Sequence, residues 1–334
     1  MMLLTIIFCF FILLIFVFFK KFSSLVNTYD VPNERKLHKE KVSLAGGVYI
    51  FVCIYFYLIL ALIFHIPNTE IFFNLTTVYL NFFIISLMFF LIGFFDDKKN
   101  LSPNIKITLF FILILSLVSI DPNLNVKLLR FSFIEKKILL QNFSVIFTIF
   151  SIFIFINALN MYDGSNGQLG IYVMVFILYL SFKSGSLIIL NLVLPIIFFI
   201  YLNIKNITFA GNAGSYFLGF LLSYIVLKIY NNQGDTLTSD EIVLMMFYPV
   251  LDLVRLFFYR AINNKSPLSA DRNHIHHILQ EKNYNNKQIQ LILCSIIVLP
   301  MIIYEFTKFN IILFFLLNAF FYYIIVSKKF IFLK

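Results

Sequence analysis

Apolar residues are gathered into blocks, most of 17 to 24 residues, that recur along the whole chain with short polar stretches between them. Coiled as an α-helix rising about 1.5 Å per residue, a block of that length crosses a hydrocarbon layer about 30 Å thick. Eleven blocks lie near 1–19, 44–65, 71–95, 104–120, 143–160, 169–182, 186–202, 213–230, 241–259, 288–304 and 309–327, the one at 169–182 being short and the weakest. The pattern predicts an all-α polytopic membrane protein of about ten or eleven transmembrane helices, a single integral membrane domain over 1–334 with no separate soluble domain.

Composition agrees with lipid as the solvent. With 61% of residues apolar and 13% charged, a water-soluble fold would have too few polar side chains to cover its surface. Cys9, Cys53 and Cys294 each fall inside an apolar block without any Cys/His spacing suited to zinc, and read as small buried hydrophobes. The first block has no basic residue before it and is followed by Lys20 and Lys21, the reverse of a cleavable signal peptide, so it reads as a retained helix with its N-terminus outside.

Charge then orients the chain. With eleven spans and an outside N-terminus, the inside segments are 20–43, 96–106, 161–168, 203–212, 260–287 and 328–334, which hold 18 of the 26 Lys and Arg residues. The positive-inside rule supports this orientation. Against it stand Lys127, Arg130, Lys136 and Lys137 in the single longer outside loop, 121–142. The net charge of +10 does not point to nucleic acid, because the basic residues sit in short loops between spans rather than in a soluble stripe.

The inside segments also carry nearly all the chemistry. Asp96 and Asp97 end the third span and Lys106 opens the fourth; adjacent carboxylates at an interface either bind Mg²⁺ and accept a proton from phosphate, or are a solvated helix end balanced by Lys98 and Lys99. Asn157, Asn160 and Asp163 recur at a spacing of three and share one helix face as the chain leaves the fifth span, a costly placement near lipid unless they line a polar cavity. Gly164, Gly167 and Gly170 follow them. Around Asn212 and Ser215, the glycines Gly211, Gly214 and Gly219 suit either close helix packing or a helix N-terminus that receives phosphate. The basic stretch from Arg35 to Lys41 before Gly46 and Gly47 is, taken alone, only a topology signal or lipid contact.

A last inside segment follows Asp252, Arg255 and Arg260 with Asp271, Arg272, His274, His276 and His277. The three histidines do not share a helix face as His-x-x-x-His would, so phosphate binding by Arg and His outweighs a metal site.

Taken in order, these motifs resemble the polyprenyl-phosphate N-acetylhexosamine-1-phosphate transferases, over about Asp30 to His277. The resemblance rests on Asp-x-Pro-x-x-Arg-Lys-x-His with Gly-Gly, Asp-Asp with Leu-Ser-x-x-x-Lys, Asn-x-x-Asn-x-x-Asp-Gly, Gly-x-x-Gly-Ser, and His-Ile-His-His, the last in the form of the WecA branch. It implies transfer of an N-acetylated amino-sugar 1-phosphate from a UDP-sugar to polyprenyl phosphate, releasing UMP and starting a cell-surface glycan. Mg²⁺ is the implied cofactor, with Mn²⁺ as an alternative, and the implied setting is a bacterial cytoplasmic membrane with the site facing the cytoplasm. The implied partners are the UDP-linked amino sugar and the membrane-borne acceptor, with no nucleic acid and a homodimer left open.

By the same resemblance, Asp96 and Asp97 orient or deprotonate the lipid phosphate and help hold Mg²⁺, and Lys106 steadies phosphate. Asn157, Asn160 and Asp163 hold phosphate or nucleotide, Phe209 stacks on uracil, and Arg272, His274, His276 and His277 bind the diphosphate or sugar. Two departures stand out: Asn166 and Asn212 occupy positions where the family has Asp, the second being a magnesium ligand in relatives. An Asn keeps a carbonyl oxygen but removes a negative charge from a hard-cation site, so weakened or rearranged Mg²⁺ binding is expected. The competing readings are a family member that has lost catalysis and only binds, and a transporter or flippase built on broken helices.

Overall fold

The computed structural model describes residues 2–32, 40–64, 76–264 and 273–330. Each of the eleven apolar blocks contains helix. Among the described residues, eight helices are long and apolar enough to cross a membrane, a bent pair makes a ninth candidate, and there are two shorter apolar helices. The protein is an all-α polytopic membrane protein.

The bent pair is α1 (Met2–Val17) and α2 (Phe19–Val26), which meet at 74°. There follow α3 (Ala45–Ile63), α4 (Thr76–Lys99), α5 (Pro103–Ile120), α6 (Ser144–Tyr162), α7 (Gln168–Ser184), α8 (Leu187–Asn191) and α9 (Val193–Ile204). The chain continues through α10 (Gly211–Asn232), α11 (Ser239–Ile262), the short α12 (Ile275–Glu281), α13 (Asn286–Thr307) and α14 (Ile311–Phe330). Local chemistry sets several starts: Ser102 caps α5 ahead of Pro103, and Thr238 with Glu241 forms a capping box on α11.

The core is organised around α10. It is buried at every position from Ala213 to Tyr230, whereas its neighbours keep a lipid-facing side. Helices α4, α6 and α3 pack around it. The chain has 45 Phe and no Trp, and phenylalanine fills these contacts: Phe220 stacks on Phe82 and Phe89 from α4, and Phe217 meets Phe51 from α3 edge-on.

Two short antiparallel pairs lie at opposite ends of the bundle. At one end β1 (Tyr29–Asp30) pairs with β2 (Val42–Ser43), and Ser43 also bridges to Thr208 just before α10. At the other end the expected loop 121–142 contains a hairpin, β3 (Leu128–Phe131) with β4 (Ile134–Leu139). Its charge is matched locally: Arg130 lies over the Tyr230 ring and 3.9 Å from Asp235, which also lies 3.5 Å from Lys137. Acid on the same end thus accompanies two of the four basic residues that weighed against the charge-based orientation.

The far end holds further buried ions. Lys183 lies 2.9 Å from Glu241 and 3.3 Å from Glu305, and Lys228 on α10 pairs with Asp121, both almost fully buried.

Candidate active site

The site is assembled where the segments expected inside meet. A cavity of about 1030 Å³ opens at that end, and 20–43, 96–106, 161–168, 203–212 and 260–287 all contribute to its lining. Each span begins or ends there, so polar groups at span termini, far apart in sequence, become neighbours.

The two adjacent carboxylates at the end of α4 part company. Neighbours on a helix point about 100° apart, and here the two make different contacts. Asp96 turns inward and is 2% exposed: Oδ1 accepts from the Leu101 backbone N at 2.9 Å, and Oδ2 accepts from Lys106 Nζ and the Tyr216 hydroxyl, each at 3.0 Å. It is absent from the cavity lining, and its contacts hold the α4–α5 turn and Lys106.

Asp97 does line the cavity, and it faces the start of α10. Its Oδ1 accepts from Asn212 N at 2.9 Å and its Oδ2 from Ala213 N at 3.1 Å. The helix N-terminus read as a candidate phosphate receptor is therefore already filled by a carboxylate, a favourable place for negative charge. Gly211, at φ +64°, makes the turn in a left-handed conformation that glycine adopts freely, and a Cβ there would sit 2.5 Å from Asp97 Oδ2.

The third motif does converge. Asn160 Nδ2 donates to Asn212 Oδ1 at 2.9 Å and to Ser215 Oγ at 2.8 Å, tying α6 to α10. Asn157 also lines the cavity, although its amide donates to the Phe153 carbonyl of its own helix at 2.8 Å. Asp163, just past the end of α6, donates its backbone N–H to the Asn160 carbonyl at 3.2 Å, while its carboxylate makes no hydrogen bond among the described residues. Burial, then the charge of Asp97, pushes its carboxyl up to about 7. Asn166 donates to Asn206 Oδ1, and its own carbonyl accepts from Gln290, so this Asn is held by other amides at the rim.

On the opposite wall, His274, His276 and His277 surround the start of α12 and all three line the cavity. The rings of His274 and His276 are near parallel, 5.6 Å apart, and His277 lies 4.2 Å from His276. His276 occupies the space a Cβ on Gly164 would take, which joins the third motif to the fifth. Its imidazole is held well below the ordinary range by burial and then by His277 and His274. His276 is therefore neutral near pH 7 rather than a standing cation.

Lys106, Phe209 and Asn212 complete the expected lining, and the Phe209 backbone N donates to the Ser43 carbonyl at 2.8 Å. Arg272, with Arg35, Lys36, His38 and Lys39, lies outside the described residues. Motif reading gave no role to Arg260, which is 3% exposed and lines the cavity, nor to Tyr216. A charge in the last turn of an apolar span was the available signal for Arg260.

Among the described residues no group of three His, Cys, Asp or Glu is placed to hold a metal alone. The donor set suits a different arrangement: the carboxylates of Asp97 and Asp163 and the amide oxygen of Asn212 are hard oxygen donors on one cavity, and Mg²⁺ commonly takes one or two carboxylates together with substrate phosphates.

A model of glycosyl transferase family 4 matches residues 79–230, which include Asp97, Lys106, Asp163, Phe209 and Asn212. An undecaprenyl-phosphate alpha-N-acetylglucosaminyl 1-phosphate transferase of Escherichia coli is 27% identical over 289 residues, covering 82% of this chain and 75% of its own. The protein of that name from Yersinia pestis is 27% identical over 282 residues, 80% of this chain and 74% of its own. That from Thermotoga maritima is 29% identical over 255 residues, 76% of this chain and 73% of its own. The chain is thus similar to glycosyl transferase family 4 over the cavity-building stretch, and to transferases of undecaprenyl phosphate along more than three quarters of its length.

Proposed function

We propose that this protein transfers an N-acetylated amino-sugar 1-phosphate, N-acetylglucosamine 1-phosphate in the first instance, from its UDP-sugar to undecaprenyl phosphate. An oxygen of the lipid phosphate attacks the phosphorus that carries the sugar. The bond between the two phosphates of the donor breaks, UMP leaves with the electron pair, and a new diphosphate links sugar to lipid. The observation that carries this reading is the convergence of Asp97, Lys106, Asp163, Arg260 and His276 on one cavity large enough for a nucleotide sugar.

The residues divide the work. Lys106 and Arg260 offset phosphate charge, and the Phe209 ring offers a face for uracil. A lipid phosphate with a second pKa near 6 needs little help from a base, so the carboxylates serve chiefly to orient and to hold a cation. Asp97 and Asp163, with the Asn212 amide oxygen, would hold Mg²⁺, with Mn²⁺ as a substitute; when bound it supplies charge neutralisation on the diphosphate under attack. A diphosphate arriving beside His276 opposes the effect of burial, so the ring gains a proton as substrate binds and becomes a charge-assisted donor.

The excess of Lys and Arg on the cavity end supports its facing the cytoplasm, where nucleotide sugars are found. The product is the first lipid-linked sugar of a surface glycan. Membranes containing the protein, incubated with undecaprenyl phosphate, Mg²⁺ and a panel of radiolabelled UDP-sugars, test the reading: one donor is expected to label the lipid. No labelled lipid from any donor at any Mg²⁺ or Mn²⁺ level would leave the loss-of-catalysis reading, motivated by Asn166 and Asn212, in its place.

A further inference from the structure

Behind the cavity, a second polar cluster is buried where α11, α12 and α14 meet. Its centre is Asp252, an acid well inside the apolar α11 and 5% exposed. Its Oδ1 accepts from Arg255 Nη2 at 2.6 Å and from the Tyr322 hydroxyl at 2.8 Å. Its Oδ2 accepts from the Ile275 backbone N at 3.3 Å and lies 3.1 Å from His274 Nδ1. Arg255 closes the cluster, donating from Nε to the Tyr322 hydroxyl at 2.5 Å and from Nη2 to the Asn273 carbonyl at 2.6 Å.

A charge at that depth persists only with its partners in place, and here the partners define the histidine loop. Asn273, His274 and Ile275 are three consecutive residues, each pinned to the Asp252–Arg255 pair by a different group. His274 occupies the position that caps α12 without making a side-chain cap of its own, so Asp252 takes the free Ile275 N–H in its stead. A carboxylate against Nδ1 keeps a proton on that nitrogen and leaves Nε2 as the one that addresses the cavity. Neither Asp252 nor Tyr322 lines the cavity, whereas His274, His276 and His277 do.

We propose that Asp252, Arg255 and Tyr322 form a positioning unit that fixes the ring orientation and tautomer of His274 and so aims the three histidines at the diphosphate. The last helix, beyond the stretch matched by the family model, is then a working part of the site through Tyr322. The inference rests on the transfer reaction proposed above for its kinetic arm; its spectroscopic arm does not.

The kinetic arm is a double-mutant cycle on purified full-length protein, with kcat/KM per monodisperse molecule as the readout. Asp252→Asn is expected to lower kcat/KM by about 10–100-fold, as is usual when the partner of a site histidine is removed. The same change made in His274→Ala is expected to cost less than about 3-fold, because residues acting through one another are not additive. A loss of equal size in both backgrounds would mark a merely structural role and overturn the proposal. If Asp252→Asn does not yield monodisperse protein, Tyr322→Phe takes its place in the cycle, and wild-type activity in that variant overturns the proposal equally.

The spectroscopic arm is histidine-selective ¹⁵N NMR in detergent, practicable with five histidines in the chain and His274 assigned through His274→Gln. Wild-type His274 is expected to carry its proton on Nδ1, and Asp252→Asn to lose that preference; an unchanged tautomer in the variant overturns the proposal. Should the wild type make no lipid-linked sugar, the transfer reaction fails while this arm still decides the positioning role.

Discussion

Gly211→Ala separates the geometry of Asp97 from the stability of the fold. The added Cβ would lie 2.5 Å from Asp97 Oδ2 and 3.1 Å from its Cγ. To regain ordinary van der Waals separation, the carboxylate must retreat by roughly 1 Å. That movement loosens its bonds to Asn212 N and Ala213 N, at 2.9 and 3.1 Å, and displaces it from its place in the cavity. The backbone adds its own cost, since a non-glycine residue in the left-handed region loses about 1–2 kcal/mol. Gly185 supplies the control, with the same φ of +64° but open space around its Cβ position. Both alanine variants are expected to lose thermal stability in detergent through the shared backbone cost, Gly211→Ala the more because of its added clash. Only Gly211→Ala is expected to lose transfer activity, by about 100-fold in kcat/KM, the usual consequence of a displacement near 1 Å at a reacting centre. Activity in Gly211→Ala within about 3-fold of Gly185→Ala, by labelled-lipid assay, would refute the placement of Asp97 at the chemistry.

Further outcomes are expected from the same geometry. The raised carboxyl of Asp163 favours the protonated form in the folded state, so in metal-free protein its contribution to stability is present near pH 4 and is lost as pH rises through about 7. A cation requires the charged form, so the Mg²⁺ concentration for half-maximal activity is expected to fall by up to about tenfold per pH unit below 7 and to level off above it. Titrations at pH 6, 7 and 8 check this, and Asp163→Asn should weaken the dependence. Asn212→Asp keeps an acceptor for Asn160 and adds a charge, so half-maximal activity is expected at roughly tenfold lower Mg²⁺; activity appearing only in this variant would make the native chain a binder. Lys228→Met strands the buried carboxylate of Asp121 and is expected to cost about 3–5 kcal/mol, read as a large drop in melting temperature, with much of it recovered on adding Asp121→Leu.

The span pattern could be read from sequence because lipid imposes it: a helix must be about 20 apolar residues long to cross, and even the weak block at 169–182 is helical over Gln168–Ser184. The membership of the site was legible for a related reason, since Asn157, Asn160, Asp163 and the histidines are polar where a span should be ending. What depended on helix rotation was not. Asp96 and Asp97 look equivalent in sequence, and only the packing of Tyr216 and Lys106 shows that one is a strut and the other faces the cavity. The glycines around Asn212 suggested a phosphate-receiving helix end, but the donors there were claimed by a carboxylate 115 positions earlier in the chain. Long-range pairs such as Asp121 with Lys228, and Asp252 with Tyr322, leave no local trace beyond a charge or hydroxyl inside or just past an apolar block.

The most direct measurement follows the donor's second phosphorus. Purified protein is given undecaprenyl phosphate, Mg²⁺ and UDP-N-acetylglucosamine labelled with ³²P on the phosphate next to the sugar. The label is expected to move to the lipid with one UMP released per labelled lipid, and to do so in neither Asp97→Asn nor His276→Ala. Label that stays in a released UDP would mean the sugar alone is transferred, and label that stays in intact donor would mean no transfer occurs; either contradicts the account.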